Sequence, residues 1–483
     1  MTKITTIEQY KNSSGYSIKP QISGKNVVWH SQQDNKDKIF FYDGNKTVEI
    51  CSVEIDPELS PIRIQFLNIS GDYAVWLGID SDGKKQVFFY DGQEKIQITD
   101  NHSDSGSILF PQITENSIVW NSDVAYFFEN IIYNSKIFLD NGKDIVELTN
   151  SERVAAPPKL SGDNIVWSGF DSQNKKQIFF YDGKKVIQLT KNNNFNNSSQ
   201  VKTTIEKKTR QKEEFIQDNK RFSDRSDINI QITRTYNPIF GEDNTDKYKS
   251  ISDDYNPLIS GKNIVWEAEG NLFLYNGKKI VRLDDKNRDV NGYSVRISGD
   301  NVAWTAENPD SGREVFLYNG TETIQLTNNG TRNMSLGISG KNVVWQGVDS
   351  DGDSEIFLYN GRETIQLTNN DTVDKSPQIS GDYIVWQSSF DLFAYNGSEV
   401  IHLAKRTGGR LLHLYPKIDG NKIVWEKHDL LDNTTSIMLA TLNDSESLSI
   451  PTIDRAPQIL TTSAIAIFSL ILVYLCQKLI YKH

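Results

Sequence analysis

Cysteine, histidine and methionine are scarce in this chain: two Cys, six His and three Met among 483 residues. Cys51 and Cys476 lie far apart, and the second sits in an apolar tail, so a disulfide-stapled scaffold and a Cys-rich zinc site are both excluded. The histidines (His30, His102, His402, His413, His428 and His483) show no ligand spacing and no paired acid. No HExxH, GxSxG, GxGxxG or GxxxxGK followed by Ser or Thr occurs, which removes the usual signatures of metal, serine, dinucleotide and phosphate chemistry. Positive charge is also short: 52 Lys and Arg against 63 Asp and Glu leave a net charge of -11, and a nucleic-acid binder needs a positive footprint. What remains, 37% hydrophobic and 24% charged residues, is enough for packed cores.

What the chain does have is a repeat. "ISGKNVVW" ends at Trp29, and versions of it end at Trp76, Trp120, Trp167, Trp266, Trp304, Trp345, Trp386 and Trp425. All nine tryptophans fall in this one slot, spaced by 47, 44, 47, 99, 38, 41, 41 and 39 residues. A second block follows eight of them, such as "IFFYDG" at Ile39, "IFLDNG" at Ile137 and "IFLYNG" at Ile356. A third follows most of these, such as "IQLT" at Ile187, Ile324 and Ile365.

Each unit reads as four short strands: a Pro-containing run, a β-branched run ending in Trp, an "IFLY" run and an alternating "IQLT" run. Gly in the "SG-D/K" turn permits positive φ, and "DG" or "NG" after the third strand favours a type I′ hairpin. No segment of the repeat shows helical periodicity. Four antiparallel strands at a period near 40 residues make one blade of a β-propeller, with Trp as the wedge between blades and its indole N–H on a carbonyl.

"KITTIEQYKN" (Lys3 to Asn12) resembles the fourth-strand block, and the ninth unit lacks a good copy of it. The N-terminus therefore supplies the outer strand of the last blade, tying the chain ends together and removing an exposed edge. The expected fold is all-β: a single propeller of about nine four-stranded blades closed by an N-terminal strand, plus one C-terminal transmembrane helix. The rival is a split into rings of four and five at the 99-residue step. The expected organisation is blades 1–4 in 1–190, a low-complexity insert in 191–250, blades 5–9 in 251–450, and a linker and anchor in 451–483. Within the insert, "TIEKKTRQKEEFIQ" is compatible with a short helix, and the alternative is a plain inter-blade loop.

One long run is free of charge: Ile459 to Cys476, 18 residues, or about 27 Å as a helix. It reads as a single membrane span, making the lipid bilayer one expected partner. Lys478 and Lys482 after it favour a cytoplasmic C-terminus and an external ring, while the start "MTKITTIEQYKN" has no apolar core for export. A cytoplasm-facing ring on a tail anchor is the preferred expectation.

The stretch "IFLYNGRETIQLTNNDTVDKSPQISGDYIVW" (Ile356 to Trp386) resembles the TolB-like propeller repeats through Leu367-Thr368, Asp374, Pro377, Ser380, Gly381 and Trp386. The family's Ser-Pro-Asp-Gly turn is replaced here by Ser-Gly-Asp or Ser-Gly-Lys. The resemblance implies a propeller that binds other proteins or extracellular ligands, with the Pro-containing strand innermost; related rings are also appended to peptidases.

Site chemistry is sparse. "DSDGDSE" places Asp349, Asp351, Asp353 and Glu355 at alternate positions, a pattern that can gather round calcium, with no other cofactor expected. The same loop also serves as an ordinary polar hairpin, and "DSDGKK" at Asp80 and Asp82 is a thinner copy. His30 reads as a surface or inter-blade residue and His402 as a strand position. The resulting expectation is no enzyme but a membrane-anchored, non-catalytic ring serving as a platform for an unknown protein or ligand on one face, without nucleic acid. A surface receptor or adhesin for a glycan or small ligand is the alternative, and a propeller hydrolase or lyase a further one.

Overall fold

A computed structural model of the chain describes residues 2–11, 17–55, 64–100, 109–122, 125–127, 131–133, 136–149, 153–154, 156–171, 175–190, 209–211, 256–268, 270–284, 294–308 and 312–443. The apolar run 459–476 lies outside them, as does nearly all of the insert. Among the described residues no helix is long and apolar enough to cross a membrane. Within 191–250 the described residues are Thr209–Gln211, and they form a strand rather than a helix, pairing antiparallel with Asp144–Glu147.

Nine antiparallel sheets carry the fold, one per Trp. Blade 1 is typical: Ser17–Ser23, Asn26–Gln33, Lys36–Tyr42 and Thr47–Glu54 pair in that order. Blade 9 runs Leu411–Asp419, Lys422–Asp429 and Thr434–Thr441, and its outer strand is Lys3–Lys11, in register from Lys3 opposite Thr441 to Lys11 opposite Thr434. The closure expected from "KITTIEQYKN" is therefore present, and it covers an edge that otherwise exposes unpaired N–H and C=O groups.

The first strands of the blades are Ser17–Ser23, Gln65–Ser70, Leu109–Ile113, Lys159–Ser161, Leu258–Ser260, Arg296–Ser298, Met334–Ser339, Asp374–Ser380 and Leu411–Asp419. Each contacts the first strand of the next blade, and the last contacts the first. These strands are innermost, and the ring closes once, which rules out the two-ring alternative. Side chains repeat the circuit: Gly71, Gly261, Gly299, Gly340, Gly381 and Gly420 each donate their N–H to a Ser hydroxyl of the preceding blade at 2.8–2.9 Å. Gly24 donates to Asp419 Oδ2 at 2.6 Å and so joins blade 1 to blade 9. The Ser161–Gly261 bond spans the insert, so blades 4 and 5 are direct neighbours.

The hydrophobic core is divided into nine clusters, one per inter-blade interface. Each Trp lies in the interface with the preceding blade; Trp29, for instance, packs with Val424 and Ile437 of blade 9. In blades 1–8 the indole stacks on the Phe opposite it on the third strand, at 5.6–6.0 Å between centroids. The wedge role holds, but at five of the nine the expected carbonyl acceptor is replaced or missing. Trp386 Nε1 donates to Asp374 Oδ1 at 3.2 Å and Trp425 Nε1 to His413 Nδ1 at 3.1 Å. The indole N–H groups of Trp29, Trp167 and Trp266 meet no acceptor among the described residues. At these three positions the cluster around the indole is apolar.

Two repeat residues gain a reason. The Thr of "IQLT" continues the ladder after the fourth strand ends: Ile178 N–H donates to Thr190 Oγ1 at 2.9 Å, and that hydroxyl donates to Gln177 Oε1 at 2.7 Å. The Asp of "DG" is a turn cap: Asp43 Oδ1 accepts the N–H of Asn45 and Lys46 at 2.8 and 2.9 Å. Positive φ falls on Gly44 (93°) and not on Asn45, with Asp43 N–H bonded to Lys46 O. The two-residue loop is thus Gly-Asn, which belongs to the II′ class rather than I′.

Candidate functional site

The innermost strands share an irregularity. Ten residues before each Trp stand Lys19, Phe66, Phe110, Pro157, Asn256, Ser294, Ser335, Ser376 and Tyr415. In blades 1, 2, 3, 7, 8 and 9 this position falls within a β-bulge, where the register with the second strand shifts. Phe66, Phe110, Ser335, Ser376 and Tyr415 have φ of 53–55°, a left-handed conformation that costs a non-glycine residue about 1–3 kcal/mol. The residue after the bulge position is buried in every blade, among them Pro20, Pro111, Pro158, Pro257, Pro377 and Pro416. That burial anchors the bulge from behind and leaves the strained residue on the less buried side.

The bulge residues make a wall of uneven chemistry. Phe66 and Phe110, on adjacent blades, lie 4.6 Å apart between ring centroids and line a shallow cavity of about 250 Å³ with Asn68 and Gln112. Lys19 Nζ sits 4.6 Å from the centre of the Tyr415 ring, a cation–π pair across the closure of the ring. Blades 9, 2 and 3 thus present aromatic surface, blade 1 presents Lys19, and blades 6, 7 and 8 present Ser294, Ser335 and Ser376.

Two residues beyond the bulge position, the side chains reach toward the next blade. Asn68 Nδ2 donates to Pro111 O at 2.9 Å, Gln112 Nε2 to Pro158 O at 2.8 Å, and Gln378 Nε2 to Pro416 O at 2.7 Å. Lys159, Arg296 and Lys417 occupy the same slot, and burial pushes the pKa of all three down; Lys19 adds to the push on Lys417. The nine innermost strands hold five Lys or Arg (Lys19, Lys159, Arg296, Lys375, Lys417) against two carboxylates, Asp374 and Asp419. Both carboxylates are engaged, Asp374 with Trp386 and Asp419 with Gly24. The innermost strands thus carry an excess of cations in a chain of net charge -11.

The carboxylates singled out in the sequence do not converge. Asp349 caps its own hairpin: Oδ1 accepts the N–H of Asp351 at 3.0 Å and of Asp353 at 3.3 Å. Asp351 is exposed at the tip. Glu355 turns inward to full burial, where Oε1 accepts Asn370 N–H at 2.9 Å. Among the described residues no group of three or more His, Cys, Asp or Glu gathers as a metal-ligand set. Asp80 caps its turn in the same way.

His30 is inter-blade and buried, with Nε2 3.1 Å from Asp37 Oδ1, and His402 is a strand residue 2.8 Å from Asp391 Oδ2. Burial pushes the Cys51 thiol up to about 11, so it carries no thiolate at neutral pH.

No family model matches the sequence, and no curated protein matches it. Solved structures do. A TolB structure from Agrobacterium tumefaciens is 21% identical over 36% of this chain and 69% of that one, with a TM-score of 0.27. The TolB-like resemblance holds for the fold. The β-propeller domain of the Trilobed protease from Pyrococcus furiosus is 14% identical over 74% of this chain and 98% of that one, with a TM-score of 0.34. An acylaminoacyl peptidase from Pyrococcus horikoshii is 12% identical over 79% of this chain and 58% of that one, with a TM-score of 0.33. These neighbours correct the expectation of a non-catalytic platform: solved rings of this fold include propellers of peptidases.

Proposed function

We propose that the ring serves peptide hydrolysis by receiving an unfolded polypeptide at its central channel. The observation that carries this reading is the charge balance of the innermost strands: five cations against two engaged carboxylates in a chain of net charge -11. An unfolded peptide matches that wall in two ways. Its free carboxyl end and acidic side chains meet the ammonium groups of Lys19 and Lys417, and its apolar side chains meet Phe66, Phe110 and Tyr415. The strained bulges support the same reading, since such strain persists where the surrounding structure holds it and concentrates at functional sites. What the ring contributes is capture and orientation of the chain to be cut.

The test is fluorescence anisotropy with a labelled, unstructured, acid-rich peptide ending in a free carboxylate. Binding is expected to weaken as salt rises, and the Lys19→Gln/Lys417→Gln variant to lose about tenfold in affinity. Absence of saturable binding below about 1 mM peptide overturns the reading.

The run Ile459–Cys476 is proposed, on its length and lack of charge, as a single membrane span with the ring on the cytoplasmic side. Reporters fused at each terminus test it; a reporter beside the ring that is active only outside the cytoplasm reverses the orientation.

A further inference from the structure

The residue of the third strand that precedes the "DG" or "NG" turn is Tyr in seven blades: Tyr42, Tyr90, Tyr181, Tyr275, Tyr318, Tyr359 and Tyr395. Blade 9 has Ala440 there and blade 3 has Asp140. The Tyr does two jobs. In Tyr42, Tyr90, Tyr318 and Tyr395 the hydroxyl donates to the carbonyl of the turn Gly, at 2.8–3.0 Å. Its ring fills the interface with the preceding blade, as in the Phe41–Tyr90 pair at 5.2 Å and the Phe180–Tyr275 pair at 6.1 Å.

At the interface of blades 2 and 3 the preceding residue is present, as Phe89, but Asp140 brings no ring to it. The Asp140 carboxylate turns instead to its own hairpin, where Oδ1 accepts Gly142 N–H at 2.8 Å. The space opens into a cavity of about 720 Å³ beside blade 3, within the usual range of small-ligand sites. Tyr73 and Phe89, 5.7 Å apart between ring centroids, supply an aromatic wall, and Asp91, Glu115, Asp140 and Asp163 supply four carboxyl groups. Lys143 is the cation of the lining.

We propose that this cavity binds an organic cation: a primary ammonium or guanidinium on a short aliphatic stem. The aromatic faces attract the cationic head, the carboxylates neutralise it, and the apolar floor of Leu139 and Ile118 takes the stem. The site does not rest on the peptide reading. The shared chemistry has two sources, a free polyamine or a Lys or Arg side chain on a peptide.

The experiment is calorimetric titration of the full chain with spermidine in one arm and with N-acetyl-arginine amide in the other. Saturable binding in either arm supports the site, and the arm that binds more tightly identifies the source. Asp140→Tyr restores the residue found in seven blades, and it is expected to remove binding while the ring melts no lower than before. Asp140→Asn leaves the space and removes one charge, so affinity is expected to fall about fivefold to tenfold. Absence of binding in both arms at millimolar ligand overturns the proposal, and so does Asp140→Tyr binding as the unaltered protein does. Should Asp140→Tyr fail to fold, Asp91→Asn/Asp163→Asn stands in, with unchanged affinity counting against the site.

Discussion

The interface between blades 1 and 2 and the interface between blades 2 and 3 come from the same repeat and differ in how they are filled. In the first, Phe41 is 2% exposed and packs against Tyr90. In the second, Phe89 occupies the same strand position but remains only partly buried, because Asp140 stands where the aromatic ring would be. The Trp wedge is intact in both: Trp76 and Trp120 are 0% and 3% exposed. One interface thus shows what the ring needs to stand, and the other shows how far a blade can depart from the repeat once the wedge is in place. Departures from a self-consistent pattern are where function is to be sought.

That comparison breaks most sharply with one substitution made on each side. Phe41→Ala removes a fully packed ring and is expected to cost about 3–4 kcal/mol. Phe89→Ala removes a ring that already borders a cavity, so its cost is expected to be about 1–2 kcal/mol. Chemical denaturation of both variants measures the difference. Equal costs would mean that the space beside Phe89 closes in solution and that the two interfaces are equivalent.

A smaller effect separates the interface of blades 7 and 8 from those that follow blades 2 and 4. Its third strand carries Glu355 where blades 2 and 4 carry Gln86 and Gln177. Burial raises the pKa of Glu355 above 4.5; the N–H of Asn370 and the Thr368 hydroxyl oppose the shift, while the facing Asp374 adds to it. The folded state therefore binds a proton more tightly than the unfolded chain. Stability is greatest below the unfolded value and falls as pH rises through the raised folded value. Glu355→Gln stays neutral throughout and places there the amide used by blades 2 and 4. It is expected to match the unaltered ring near pH 4 and to melt about 1–3 °C higher at pH 7. A variant that melts lower at pH 7 would show that the ionised carboxylate stabilises this interface.

Much of the architecture was legible because it is carried by residues that recur. The Trp slot marked every blade, and "KITTIEQYKN" marked the closing strand because it is a displaced copy of a block whose proper place was empty. The channel wall was not legible. Its bulge position holds Lys, Phe, Pro, Asn, Ser or Tyr and never Gly, so nothing local announces a left-handed conformation that the neighbouring blades impose. Its cations stand singly on different strands, and only closure of the ring assembles them. The Asp140 cavity lay between these cases: "IFLDNG" differs visibly from "IFLYNG", but the consequence depends on knowing that the missing ring faces Phe89.

The Asp349 hairpin marks the small end of the comparison, since its counterpart at Asp80 is built in the same way. Alternate carboxylates suggested calcium, but strand alternation carries Glu355 to full burial and away from the tip. Asp349 already accepts two backbone N–H groups, and its Oδ2 accepts Gln366 Nε2 at 3.3 Å. Asp349→Ala is therefore expected to cost about 0.5–1 kcal/mol by uncapping the turn. Calcium at millimolar concentration is expected to leave the melting temperature unchanged, because filling a site requires Asp349 to release those bonds and Glu355 to leave the interface. A calcium-dependent rise in melting temperature that disappears in Asp349→Ala would show that the loop rearranges into a site. The two hairpins would then differ in kind, since Lys84 and Lys85 stand in the second where Asp353 and Ser354 stand in the first.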